Sequence, residues 1–259
     1  MARRKDTKAS AVERLVQLAN DLDLTTLALA IPEILEKAEK GSPSFTDFAL
    51  EMLQTEVDAR RERRLTRSLK RSKLGHVEGL DGFDFAKRPN LDPRVVKELF
   101  NCRFVEEHRN ILCLGRPGLG KTRIAKALAH AACLAGYSVL AIVAAQMLED
   151  FFASEADQTY KRVLRRYVKP SVLLLDEFGY EPFTTKATGY LFRLVSARHR
   201  VGSIILTANT GFTSWKKLFP SEATAVATAD RLVDDATILR FTGKSCREPR
   251  EIVGAPLDD

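Results

Sequence analysis

The chain has 259 residues, 45% apolar and 29% charged, the proportions of a folded protein with room for one large domain and a smaller one. It contains no apolar run of the roughly 20 residues that cross a bilayer, and no apolar stretch follows the basic start Met1-Ala2-Arg3-Arg4-Lys5 as a secretory signal would require. A cytoplasmic location without membrane contact is therefore expected.

The formal net charge of +7 is a local feature. Arg60, Arg61, Arg63, Arg64, Arg67, Lys70, Arg71 and Lys73 face a single acid, Glu62, so this segment carries the excess of the whole chain. Cys102, Cys113, Cys133 and Cys246 form no C-x-x-C pair and read as small buried apolar groups.

In chain order, residues 8–40 show two helical apolar patterns. Gly41-Ser42-Pro43 interrupts them, and Ser44 is placed to cap a third helix. That helix carries Phe45, Phe48, Ala49, Met52, Leu53 and Val57, then runs into the cations and ends near Gly75. Residues 1–75 are thus expected as a small all-helical domain, 76–92 as a linker holding Phe83 and Phe85, and 93–259 as the main domain.

The main domain alternates helix (92–107), strand (111–114), helix (121–135), strand (139–143) and two helices to about Tyr167. Strand (172–175), helix (186–199), strand (203–206), a helical tail to Leu232 and a last strand at Thr237–Phe241 complete it. Continuous apolar strands between amphipathic helices predict an α/β, three-layer core with a mostly parallel sheet.

Gly115-Arg116-Pro117-Gly118-Leu119-Gly120-Lys121-Thr122 fits G-x-x-x-x-G-K-[ST] between an apolar strand and a helix that opens Lys121-Thr122-Arg123. Glycines let successive N–H groups turn toward phosphate oxygens, and the helix adds its positive end. Lys121 is expected at the β- and γ-phosphates of ATP, and the Thr122 hydroxyl on Mg²⁺. Val172-Leu173-Leu174-Leu175 leads into Asp176-Glu177, where Asp176 would hold the metal and Glu177 would orient or deprotonate water. At the end of the next strand, Asn209 suits either a γ-phosphate or water contact, or an ordinary turn cap. Arg198, Arg200, Arg231, Arg240 and Arg247 are candidates to reach a neighbouring subunit's nucleotide, Arg231 foremost because Asp230-Arg231-Leu232 follows the last clear strand.

Arg60, Arg64, Arg67 and Arg71 fall on one helical stripe with almost no carboxylate at i±4. The stripe is expected to repel itself unless a polyanion covers it. Without interleaved aromatics it should meet phosphates of duplex DNA, independent of base sequence.

These segments resemble the IstB-like ATPases, helpers of insertion-sequence transposases and relatives of DnaC-type helicase loaders in the AAA+ superfamily. The likeness rests on the Leu50–Arg64 helix, Phe83-Asp84-Phe85, the phosphate loop, Asp176-Glu177-Phe178-Gly179-Tyr180, Thr207-Ala208-Asn209, Trp215, Asp230-Arg231-Leu232 and Gly243–Arg247. It implies Asn209 as sensor, Arg231 as a finger acting in trans, homo-oligomers on DNA and a transposase partner. Ala208, Asp234-Asp235, Cys246, Arg116 and Leu119 depart from the usual residues without removing a catalytic group. No C-terminal lid domain is expected. The function implied is an ATP-hydrolysing, DNA-bound helper of transposition. A replicative helicase loader is the nearest alternative, ahead of a small-molecule kinase or a nucleotide-gated module that hardly hydrolyses.

Overall fold

The computed structural model describes residues 2–245, and the chain divides into two compact units, Met1–Arg67 and Ser68–Asp259. The division falls inside the third helix rather than after Gly75.

The first unit contains α1 (Ala2–Asp21), α2 (Thr25–Gly41) and the first part of α3 (Phe45–Ser72). Ala19, Leu27, Ala28, Ile31 and Ile34 form its core, against which Phe48 and Met52 pack. Phe45, Leu53 and Val57 are exposed, so only part of the apolar face expected on α3 is buried. Ser44 does cap α3, its hydroxyl accepting the Asp47 amide at 3.1 Å.

No side chain adjacent in sequence caps α2. Glu56 of α3 supplies the missing acceptor: its Oε2 takes the Thr26 and Leu27 amides, each at 3.0 Å, putting a carboxylate at the positive end of the helix. Its Oε1 takes Arg60 Nε and Arg63 Nη2, both at 2.9 Å. Burial pushes the Glu56 carboxyl upward, but the Leu27 amide and the two guanidiniums outweigh it and hold the pKa below its ordinary value. The cationic stripe is expected to have almost no carboxylate at i±4, and Glu56, four residues before Arg60, is one that it does have.

The second unit adds α4 (Pro93–Leu99), α5 (Arg103–Glu106), β1 (Ile111–Gly115), α6 (Lys121–Leu134), β2 (Val139–Val143), α7 (Ala144–Ala156) and α8 (Tyr160–Val168). It continues with β3 (Val172–Phe178), α9 (Thr185–Arg198), β4 (Ser203–Ala208), α10 (Phe212–Trp215), α11 (Glu222–Val233) and β5 (Thr237–Phe241). The five strands form one parallel sheet in the order β2-β3-β4-β1-β5. Ile111 and Cys113 of β1 join the cluster of α6 with Val96 and Phe104, while Leu112 and Leu114 join that of α7 and α9. That alternation is the period of two of a strand buried on both faces, and it produces three layers.

Two expected elements are interrupted. The helix over 92–107 breaks at Cys102, whose φ of 58° is left-handed, and the tail to Leu232 divides into α10 and α11. β3 runs past Leu175 to Phe178, with an irregularity: Leu175 pairs with Leu206 but Phe178 with Ala208, so β3 holds one extra residue. Among the described residues no helix is long and apolar enough to cross a membrane. Cys102, Cys113 and Cys133 are buried free thiols, and burial raises Cys113 to about 12. Cys246 lies outside the described residues.

Candidate functional site

Three strands end at the same edge of the sheet, and their terminal residues build the site. β1 leads through Arg116–Gly120 into α6, so the loop wraps the helix's positive end. Gly115 lies so close to β5 that a Cβ would stand 2.2 Å from the Phe241 carbonyl oxygen. Gly120 has a φ of 89°, and a Cβ there would meet the Phe83 ring at 2.7 Å. Each position requires glycine for a different reason, one for close approach and one for backbone conformation.

Lys121 is buried and reaches back over this loop. Its Nζ donates to the Arg116 carbonyl at 2.7 Å and to Asn209 Oδ1 at 2.9 Å. Asn209, just beyond β4, thus meets the loop lysine directly, a contact that spacing gives no reason to expect beside the γ-phosphate or water contact and the turn cap. Thr122 Oγ1 donates to Asp176 Oδ1 at 2.9 Å. A hydroxyl beside a carboxylate is the oxygen-donor chemistry that suits Mg²⁺, so Thr122 and Asp176 fit as a pair that could hold it.

Glu177 is exposed toward the same cleft, with a φ of 57°. For a residue other than glycine, such a conformation costs on the order of 1–3 kcal/mol and must be held by its surroundings. Thr207 of β4 contacts both acidic positions: its hydroxyl donates to Asp176 Oδ1 at 2.5 Å and accepts the Glu177 amide at 3.0 Å. In sequence Thr207 is only the first residue of the Thr207-Ala208-Asn209 segment that follows the expected strand, with nothing to mark this role.

The cleft has a volume of about 820 Å³. One wall is the loop with Glu177, Thr207 and Asn209, and the other is the segment Glu78–Arg88. Arg123 holds that segment: its guanidinium donates to the Gly79 carbonyl at 2.9 and 3.0 Å and to the Asp81 carbonyl at 2.5 Å, with Glu78 at 3.3 Å. Arg88 is buried and donates to the Leu119 carbonyl at 2.9 Å, fastening the segment to the phosphate loop. The volume, the glycine-lined loop and the buried lysine fit a nucleoside triphosphate.

Arg231 does not line this cleft. Its guanidinium sits 4.7 Å over the Phe192 ring, donates to the Ala227 carbonyl, and borders a separate groove of about 940 Å³ with Trp215, Asp230 and Asp234. The other candidate arginines differ in situation. Arg198 is buried among backbone carbonyls, which removes it as a residue reaching outward. Arg200 pairs with Asp234 at 3.1 Å, and His199 Nε2 meets the same carboxylate at 2.7 Å. These two bonds, His199 first, hold the Asp234 carboxyl below its usual range. Arg240 is exposed on β5, and Arg247 lies outside the described residues. All eight cations of residues 60–73 are exposed. Arg60 and Arg63 are tied to Glu56, and Arg61 approaches Asp58 at 3.8 Å.

Residues 17–252 match the family of IstB-like ATP binding proteins. The chain belongs to that family. This IstB-like chain is 35% identical over 230 residues to an IS21 insertion-sequence ATP-binding protein of Pseudomonas aeruginosa, covering 89% of this chain and 87% of that one. It is 31% identical over 235 residues to the IS5376 counterpart of Geobacillus stearothermophilus, covering 91% and 94%. Among solved structures, DnaI gives a TM-score of 0.51 at 22% identity over 65% of this chain and 90% of that one. A DNA replication initiation factor gives 0.53 at 18% identity, covering 63% and 49%. These two likenesses concern the fold, which is of the P-loop AAA+ type.

Proposed function

We propose that this IstB-like chain hydrolyses ATP in assemblies on duplex DNA and thereby stimulates an insertion-sequence transposase. The observation that carries the reading is the convergence of Lys121, Thr122, Asp176, Glu177 and Asn209 at one sheet edge while Arg231 stays out of its own chain's cleft. Bound ATP with Mg²⁺ supplies the electrophilic γ-phosphoryl group and neutralises charge on it. The loop amides and Lys121 bind and orient the phosphates. Thr122 and Asp176 hold the metal, Glu177 takes or orients the proton of the attacking water, and Asn209 couples Lys121 to that position. Arg231 of one subunit completes the site of the next, a contribution of about 10³–10⁵ in rate for such fingers. Turnover then depends on assembly.

The DNA contact is assigned to Arg60, Arg61, Arg63, Arg64, Arg67, Lys70, Arg71 and Lys73. Those not tied to Glu56 are the freest to meet phosphates. The family's place in insertion sequences supports the transposase as partner. Glu177→Gln tests the reading: the variant should bind ATP with wild-type affinity, lose turnover and stay on DNA longer. A variant that turns ATP over normally, or cannot bind it, would contradict the assignment of Glu177.

A further inference from the structure

The irregularity between β3 and β4 lies beside the two carboxylates of the site. Across it the regular pairing stops at Leu175–Leu206 and resumes at Phe178–Ala208, leaving Asp176 and Glu177 between. The Glu177 amide donates to a side chain, Thr207 Oγ1, at 3.0 Å. The same hydroxyl donates its proton to Asp176 Oδ1, which also accepts Thr122. Thr207 is buried, at 2% exposure, so neither bond is replaced readily by water.

We propose that Thr207 is a positioning residue for ATP hydrolysis, its hydroxyl holding the Glu177 backbone in the left-handed conformation that presents the carboxylate to the cleft while fixing Asp176. The inference rests on the ATP-hydrolysis reading. Glu177 at a φ of 57° needs an external restraint, and the Thr207 hydroxyl is a hydrogen-bond partner of its amide. A backbone free to relax would rotate the Glu177 side chain away from the water position without touching the loop that binds phosphate. Thr207 therefore acts on the chemical step more than on nucleotide binding.

Valine keeps the branched shape of threonine and removes both hydrogen bonds, whereas serine keeps the bonds and removes a methyl group. Thr207→Val is expected to lower kcat about 10- to 100-fold with ATP affinity nearly unchanged, and Thr207→Ser to restore most of the rate. Site-resolved amide hydrogen exchange reads the brace independently of turnover. The Glu177 amide should exchange about tenfold faster or more in Thr207→Val than in the wild type or Thr207→Ser, while Leu174 and Ile205 stay slow. Equal exchange in all three, an unchanged kcat in the valine variant, or a serine variant as impaired as valine would overturn the proposal. A wild-type protein with no turnover that still shows the exchange difference would support the brace and remove the hydrolysis reading.

Discussion

Replacing Arg198 separates a structural role from the outward-reaching one that its position in sequence allowed. The side chain closes α9 with 1% exposure. Its Nη1 donates to the Tyr167, Val168 and Pro170 carbonyls at 2.8, 3.0 and 2.8 Å, and Nη2 to those of Ser171 and Ser203 at 3.2 and 2.7 Å. These carbonyls lie around the end of α8 and the starts of β3 and β4, at the opposite sheet edge from Lys121. No carboxylate is among the partners, yet burial lowers the guanidinium only to about 10, so it stays charged at neutral pH.

Methionine would fill the space without donors. The Ser171 oxygen keeps the Ser203 amide, so the loss falls mainly on the other four carbonyls. A buried acceptor stripped of its partner costs about 1–3 kcal/mol, offset because no charge remains buried. Four acceptors left without that partner, less the desolvation of the guanidinium that methionine no longer incurs, give an expected net loss of about 3–5 kcal/mol for Arg198→Met. At about 2–4 °C per kcal/mol for a domain of this size, Tm should fall by roughly 6–20 °C, measured by circular dichroism melting. Arg198→Lys, with three donors, should recover part of the loss. A Tm within about 2 °C of wild type, or an unchanged Tm with turnover abolished, would refute the reasoning, the second by returning Arg198 to the nucleotide.

Three further outcomes are expected. Lys121→Ala should remain folded and lose nucleotide binding by at least about tenfold in titration with a fluorescent ATP analogue, since it removes a charge-assisted contact to phosphate; unchanged affinity would remove the phosphate-loop assignment. Duplex binding should weaken with salt at a log–log slope near −5, from about six phosphate contacts by Arg61, Arg64, Arg67, Lys70, Arg71 and Lys73. A flat response would mean those cations are only a solvated face. The Glu56 carboxyl is held below its ordinary pKa, so its stabilisation of the first unit is full above the unfolded value of about 4.3 and is lost as pH falls through the folded value. Glu56→Gln should be less stable at pH 7 and lose less than wild type on acidification; identical profiles in pH-dependent melting would contradict this.

Much of the second unit was legible because its signals are local. The apolar strands, the glycine spacing before Lys121 and the carboxylates after Leu175 announce themselves within a few residues, and the expected last strand, Thr237–Phe241, has the observed limits. What the sequence hid depends on partners distant in the chain or on unmarked backbone geometry. Cys102 turns left-handed without a glycine to signal it, dividing α4 from α5. Glu56 reads as a residue within an amphipathic helix until α2, some 30 residues earlier, is seen to need an acceptor. Arg198 and Thr207 acquire their roles from strands and helices that meet only in three dimensions. The residue types were visible in each case, but not the groups they face.

Assembly-coupled catalysis is tested most directly by measuring ATP hydrolysis against protein concentration, with and without plasmid-length duplex DNA. The arrangement of Arg231 outside its own cleft predicts a rate per subunit that rises cooperatively with concentration and is further stimulated by duplex. A rate per subunit independent of both would mean that one chain holds a complete site, contradicting the account.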